Sequence, residues 1–417
     1  MPRSSPRLRR ALTAVGLATV VGFVPTAAAT SSAEAPSLRS RIDAVHEAGM
    51  PGIQAAVRHG DESWTGAAGV ADIRTERPLR AGYHHRVGSI TKSFTATAVL
   101  QQVGRGRIEL DAPIGKYLPA LVGGERGQRI TVRMLLNHTS GIADHVNGTF
   151  ESWSQGSLAS LEANRFRNWR PERLVEIGLS LPPTGAPGEK WSYSNTNYVI
   201  AGQLLEKITG KPARFVISRD VIRPLGLRDT YFPGPTPFVL GPHSKAYEAL
   251  YHLPERRGEY SVFNMSWAST AGALISTPQD LNTFYRALLG GELLEPEQLA
   301  EMKRTVPVMQ NGTRIGGYGL GLRRFDLGRC GTFWGHDGAV FGMGTLSLHD
   351  EDGSEQLSYG MNLTKYQHLG PNGRPQPHPI DRARGAFLGR ALCSGAQSPA
   401  TTLAPTTPSA PSPALAR

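Results

Sequence analysis

The sequence predicts a mixed α/β fold: a sheet assembled from both ends of the chain, flanked by helices, with a helical subdomain inserted between. Three features carry this expectation. Strand signals cluster at residues 52–70 and return from residue 271 to about 362. A helical pattern over residues 87–103 follows the first cluster. Between the clusters, residues of about 105–265 mix short helical stretches with long Pro- and Gly-containing loops.

Taken in order, the chain begins with a targeting pattern. Arg3, Arg7, Arg9 and Arg10 precede an apolar run from Ala11 to Val24, which is short for a bilayer span, and Ala27-Ala28-Ala29 offers a small-residue cleavage site. Residues 1–29 are therefore expected to be a signal peptide, with the protein secreted, facing the cell wall, and without a stable membrane anchor after cleavage. The Arg9-Arg10 pair leaves the export route open. Losing those four arginines lowers the net charge from +11 to +7. No dense Lys/Arg run remains, which speaks against a nucleic-acid partner.

Ser37 to Glu47 reads as a helix, with Leu38, Ile42 and Val45 on one face. Gly52–Val57 and Ser63–Val70 read as a strand pair joined by a His-Gly-Asp turn. The helix over Val87–Val103 places Ile90, Phe94, Ala98 and Val99 on one side, and Gly104 ends it. Later strands are expected at Ala273–Ser276, Gly317–Leu322, Thr332–Gly335, Thr345–Leu348 and Leu357–Asn362, with a helix at Pro278–Leu289. Residues 397–417 are rich in Pro, Thr, Ser and Ala, have no aromatic residue and read as a disordered tail, so the folded domain is expected within 30–396.

Three short stretches carry chemistry. The first is Ser89-Ile-Thr-Lys92. A serine hydroxyl needs a base within hydrogen-bond reach to act as a nucleophile. On a helix, residues three apart lie roughly 60° apart in azimuth and about 4.5 Å apart along the axis, so lysine at i+3 reaches the hydroxyl. Of eight lysines, only Lys92 has serine at that spacing. A helix opening at Ser89 also offers unpaired N–H groups to a developing oxyanion. The second is Tyr193-Ser-Asn195. A phenol whose pKa is lowered by cationic neighbours can relay a proton, and the Asn195 amide can hold both Lys92 and a substrate carbonyl. The third is His336-Asp-Gly338, on a Gly-rich segment from Trp334 to Thr345 that reads as an edge strand, where glycine lets a substrate approach the backbone.

Cys330 and Cys393 are the two cysteines, an even number that permits one disulfide in an exported chain. It would tie the strand region near His336 to the C-terminal helix. No CxxC or Cys/His ligand cluster is present, so zinc is not expected, and acylation of Ser89 followed by hydrolysis calls for neither a metal nor an organic cofactor. His84, His85, His138 and His145 read as surface or packing residues.

These motifs resemble the serine β-lactamase and penicillin-binding family, in the branch of class C β-lactamases and D-alanyl-D-alanine carboxypeptidases with their esterase and D-aminopeptidase relatives. The likeness rests on Val87-Gly-Ser-Ile-Thr-Lys-Ser-Phe94, Leu135-Leu-Asn-His-Thr-Ser-Gly141, Pro187-Gly-Glu-Lys-Trp-Ser-Tyr-Ser-Asn-Thr-Asn-Tyr198, Ala271-Gly-Ala-Leu-Ile-Ser-Thr277 and Gly317-Tyr-Gly-Leu-Gly321, in family order from about residue 37 to 394. The resemblance implies a β-lactamase/transpeptidase-like fold, a mainly antiparallel sheet flanked by helices. It implies that Ser89 is acylated, Lys92 is its base or electrostatic partner, Tyr193 is the general acid/base, Asn195 binds substrate amide, and the N–H groups of Ser89 and Ala339 form an oxyanion hole. His336, Asp337, Gly338 and Ala339 would line the substrate strand.

One departure bears on substrate. Where carboxypeptidases of this kind carry hydroxyl residues that hold a carboxylate, this chain has Asp337 and Ala339. The leading expectation is a secreted D-alanyl-D-alanine carboxypeptidase-like serine hydrolase acting on a small peptide or ester, peptidoglycan peptides included. The alternatives are a carboxylesterase or D-aminopeptidase-type hydrolase, or a non-catalytic protein of the same fold.

Overall fold

A computed structural model of the chain describes residues 37–251, 257–310, 312–371 and 373–393. The expected signal segment and tail lie outside the described residues. Among the described residues, nine strands form one antiparallel sheet: β1 (Gly52–His59), β2 (Glu62–Asp72), β3 (Arg77–Pro78), β4 (Val306–Gln310), β5 (Thr313–Tyr318), β6 (Arg323–Asp326), β7 (Thr332–Val340), β8 (Met343–His349) and β9 (Glu355–Met361). Their spatial order is β3-β2-β1-β9-β8-β7-β6-β5-β4.

The two ends of the chain meet at the β1–β9 seam. Ile53 pairs with Met361 and His59 with Glu355. The β1–β2 hairpin turns through Gly60 and Asp61, with His59 opposite Glu62. On one face lie α1 (Leu38–Glu47) and a C-terminal helix, Pro379–Leu392. Ser37 caps α1 by accepting from the Ser40 N–H, and Ile42 and Val45 are buried in a core with Leu348, Leu357 and Phe387. The larger core lies around α2 (Thr91–Gly104), α3 (Asn195–Thr209) and α4 (Pro278–Leu289).

The interior position of α2 explains why its sequence is apolar on more than one side. Eleven of its residues are buried, among them Thr91, Lys92, Ser93, Thr95 and Thr97, where a single apolar face had been expected. Phe94 stacks on Phe284 of α4 with centroids 3.6 Å apart. The C-terminal helix, α5 (Pro379–Leu392), ends beside Cys393, which forms a disulfide with Cys330; their Cα atoms are 4.9 Å apart.

Three strand expectations change. Of Ala273–Ser276, only Ile275–Ser276 is extended, and it pairs with His85–Arg86 outside the large sheet. Of Gly317–Leu322, only Gly317 and Tyr318 are strand. Residues 319–322 reverse the chain into β6, with the Gly319 N–H bonded to Leu322 O at 2.7 Å and Gly321 at φ +72°. Finally, β7 lies inside the sheet. Its partner β6 pairs only with residues 332–335, and beyond them the turn bearing Ser89 packs against Gly338 and Ala339. Among the described residues, no helix is long and apolar enough to cross a membrane.

Candidate active site

Ser89 sits in a single 3₁₀ turn, Gly88–Ile90, immediately before α2. Gly88 has φ +55°, and a Cβ there would lie 2.7 Å from the Ala339 nitrogen. A Cβ on Gly338 would lie 2.0 Å from Val87 O and 3.0 Å from the Ser89 nitrogen. Both residues must therefore be glycine for the nucleophile turn to press against β7. That contact brings the main chain of Ser89 and of Ala339 together.

Lys92 is fully buried and has three partners: Ser89 Oγ at 3.1 Å, Asn195 Oδ1 at 2.7 Å and Ala271 O at 2.8 Å. Asn195 Oδ1 and Ala271 O can only accept. A neutral amine has two N–H bonds for them and one lone pair left, aimed at the Ser89 hydroxyl. Burial pulls the Lys92 pKa from its ordinary 10.5 down to about 7, while the charges of Asp144 and Asp337 oppose the shift. The lysine is thus poised to take a proton near neutrality.

Tyr193 lies on the other side of the hydroxyl, with Oη donating to Ser89 Oγ at 2.6 Å. Its pKa moves opposite to the sequence expectation. Burial, reinforced by Tyr318, pushes it well above 10, so the phenol keeps its proton. Lys92 Nζ lies 4.7 Å from the Tyr193 ring centroid, but desolvation of a phenolate outweighs that cation.

Asn195 begins α3, which projects its amide toward Lys92. Its Nδ2 donates to Asp144 Oδ2 at 2.7 Å, so both ends of the amide are engaged. Asp144 follows the Leu135–Gly141 stretch and carried no sequence signal of its own.

His336 is brought near but does not face the cleft as a free ligand. It is 1% exposed, with Nε2 bonded to Tyr318 Oη at 2.9 Å and Nδ1 to Asp337 O at 2.5 Å. Burial lowers its pKa to about 4, so the imidazole is neutral. Asp337 forms an ion pair with Arg323 at 2.5 Å, which offsets the negative charge that the sequence alone places on this strand. The partner was hidden because Arg323 opens β6, and its neighbour is set by sheet pairing. Arg323 lies opposite Gly335, two residues from Asp337.

The remaining histidines separate. His84 pairs with Asp229, and buried His85 is held neutral with a pKa of about 4. His138 and His145 are both buried packing residues, and His138 also lies against the site, its ring 4.4 Å from that of Tyr193. Among the described residues, no group of three or more His, Cys, Asp and Glu side chains is arranged to hold a metal. Chemically, the assembly offers a hydroxyl between a low-pKa amine and a neutral phenol, with two backbone nitrogens beside it.

Known proteins resemble this chain over most of its length. The sequence pattern of the Beta-lactamase family matches residues 38–359. Esterase EstB of Burkholderia gladioli is 30% identical over 331 residues, spanning 73% of this chain and 83% of that protein. A D-stereospecific amidohydrolase from Streptomyces sp. shares 37% identity at a TM-score of 0.75, covering 87% of this chain and all (100%) of the other. The D-amino acid amidase of Ochrobactrum anthropi SV3, solved with D-phenylalanine, shares 26% identity at a TM-score of 0.70, covering 85% of this chain and 97% of that one.

Proposed function

This chain belongs to the β-lactamase family of serine hydrolases, and on that premise we propose that it cleaves esters and amides of D-amino acids that carry no free carboxylate, through a Ser89 acyl-enzyme. Neutral Lys92 takes the Ser89 proton as Oγ attacks the substrate carbonyl. The N–H groups of Ser89 and Ala339 hold the oxyanion. Tyr193 gives its proton to the departing amine or alcohol and is reprotonated from the Lys92 ammonium. Water then attacks the ester, surrenders a proton to the same pair, and releases the acid and free Ser89.

The observation that carries the substrate class is the Asp144 carboxylate, held by Asn195 one side chain away from Lys92. A substrate carboxylate brought within about 4 Å of it meets roughly 4 kcal/mol of repulsion at an effective dielectric of 20, while an ammonium gains a similar attraction. Asp337 adds less, because Arg323 offsets it. The amidohydrolase and amidase likenesses point the same way. D-alanyl-D-alanine carboxypeptidase activity therefore ranks second.

The test is a panel of D- and L-phenylalanine amide, a p-nitrophenyl ester and a D-alanyl-D-alanine peptide. The D-amide should exceed the carboxylate peptide in kcat/KM by about tenfold or more. A preference for the carboxylate peptide would sink the reading. Export is part of the same proposal, on the basis of residues 1–29. Finding the protein in cells with an intact N-terminus, and none in the medium or cell wall, would refute it.

A further inference from the structure

We propose that His138 and Tyr318 are positioning residues, forming with His336 a hydrogen-bond chain of fixed polarity that ties the segment carrying Tyr193 and Asn195 to the strand carrying the oxyanion nitrogen of Ala339. The inference rests on the reading of Ser89 as nucleophile.

The chain starts at the Ser194 N–H, between Tyr193 and Asn195, which donates to His138 Nδ1 at 3.2 Å. Asn197 Nδ2 donates to the same nitrogen at 3.3 Å. Two N–H donors on Nδ1 leave no room for a proton there, so the ring carries it on Nε2. His138 Nε2 lies 3.2 Å from Tyr318 Oη, and Tyr318 Oη lies 2.9 Å from His336 Nε2. At the far end, His336 Nδ1 meets the Asp337 carbonyl at 2.5 Å, a group that can only accept. His336 must therefore hold its proton on Nδ1 and accept at Nε2. The two backbone ends thus place both histidine protons, and the chain runs from the Ser194 N–H to His138, from His138 to Tyr318, from Tyr318, whose hydroxyl also neighbours that of Tyr198, to His336, and from His336 to the Asp337 carbonyl.

Three further observations suit a positioning role. His138 holds φ +62°, a conformation that a non-glycine residue adopts at a cost. Its own carbonyl accepts from the Ser192 N–H at 2.8 Å, so main chain and ring both grip residues 192–194. Its ring lies 4.4 Å from the Tyr193 ring, which limits tilt of the phenol. Burial, with the positive charges of Lys92 and Arg323 and the neighbouring His336, keeps His138 neutral well below its ordinary range, so the polarity persists across the working pH.

Nitrogen-15 histidine labelling of the full chain tests the polarity without reference to activity. Between about pH 5.5 and 8.5, His138 should be protonated only at Nε2 and His336 only at Nδ1. The opposite tautomer at either residue, or titration near 6.5, would overturn the proposal. Tyr318→Phe, which keeps the ring and removes the link, should slow Ser89 labelling by a fluorophosphonate and lower kcat by about 10- to 100-fold, with KM within about twofold. His138→Asn provides a second variant. Asparagine tolerates the positive φ and can accept from Ser194, but it cannot reach Tyr318. Its kcat loss should match that of Tyr318→Phe, with little more in the double variant. Wild-type labelling rates in both variants would refute the positioning role. If wild type itself does not label at Ser89, the nucleophile reading fails, while the tautomers still decide whether the chain exists.

Discussion

At the scale of single residues, the reaction centre is governed by what Lys92 can donate and accept. Its two acceptor partners are fixed, so the Ser89 hydroxyl is left with the lone pair. Ser89→Ala should abolish covalent labelling by any acylating probe, read as intact mass; a full adduct on that variant would refute the assignment. The pH dependence follows from the depressed Lys92 value. Lys92 acts as a base only when neutral, so kcat/KM should rise with pH through about 7. A flat profile from pH 6 to 8 would argue that the lysine is not the base. The sign for stability is the same. Between about 7 and 10.5 the unfolded chain binds a proton that the folded chain lacks, so Lys92 lowers stability at neutral pH and this penalty shrinks as pH rises. Tyr193 and His336 cannot substitute near neutrality: burial holds the phenol protonated, and it makes the imidazole, with a pKa of about 4 and its Nε2 engaged by Tyr318, too weak a base.

At the scale of elements, catalysis depends on how closely the Gly88–Ile90 turn approaches β7. Gly338 has no room for a methyl group, whereas a Cβ on Gly344 of β8 would have its nearest contact at an ordinary 3.4 Å. Gly338→Ala should therefore lower stability by about 1–3 kcal/mol and kcat by at least tenfold, because the strand must move away from Ser89. Gly344→Ala should change stability by less than about 1 kcal/mol. Paired melting curves and burst kinetics would check both. Equal, small effects at the two glycines would mean that the approach of turn and strand is not limiting.

At the scale of the whole molecule, two cores on opposite faces of one sheet divide the labour. The active site is built on the side of α2 and α3, while α1 and α5 cover the other face, where the Cys330–Cys393 bridge lies. The bridge spans 63 residues, which in the chain-entropy model corresponds to about 4 kcal/mol. Cys330→Ser/Cys393→Ser should lower the unfolding midpoint in urea accordingly, with kcat at 25 °C within about twofold of wild type. An unchanged midpoint would mean that the disulfide contributes nothing to stability. A large loss of kcat in a folded variant would couple the far face of the sheet to Ser89.

The sequence by itself determined the elements with strong local signals. The β1–β2 hairpin, the helix after Ser89 and the helix Pro278–Leu289 follow from periodicity, turn residues and caps, which act over a few neighbours. The spacing of Ser89 and Lys92 was legible for the same reason, since three residues on a helix fix a distance. Only the tertiary structure decided the rest. Whether Gly317–Leu322 runs straight or turns depends on how it meets α2. Whether Asp337 is an open charge depends on Arg323, fourteen residues away and adjacent only through strand pairing. The direction of the Tyr193 pKa depends on burial, which no local pattern encodes. Asp144 and Tyr318 came to the site through loops and sheet register; contacts between residues distant in sequence exist only once the sheet has closed from its two ends.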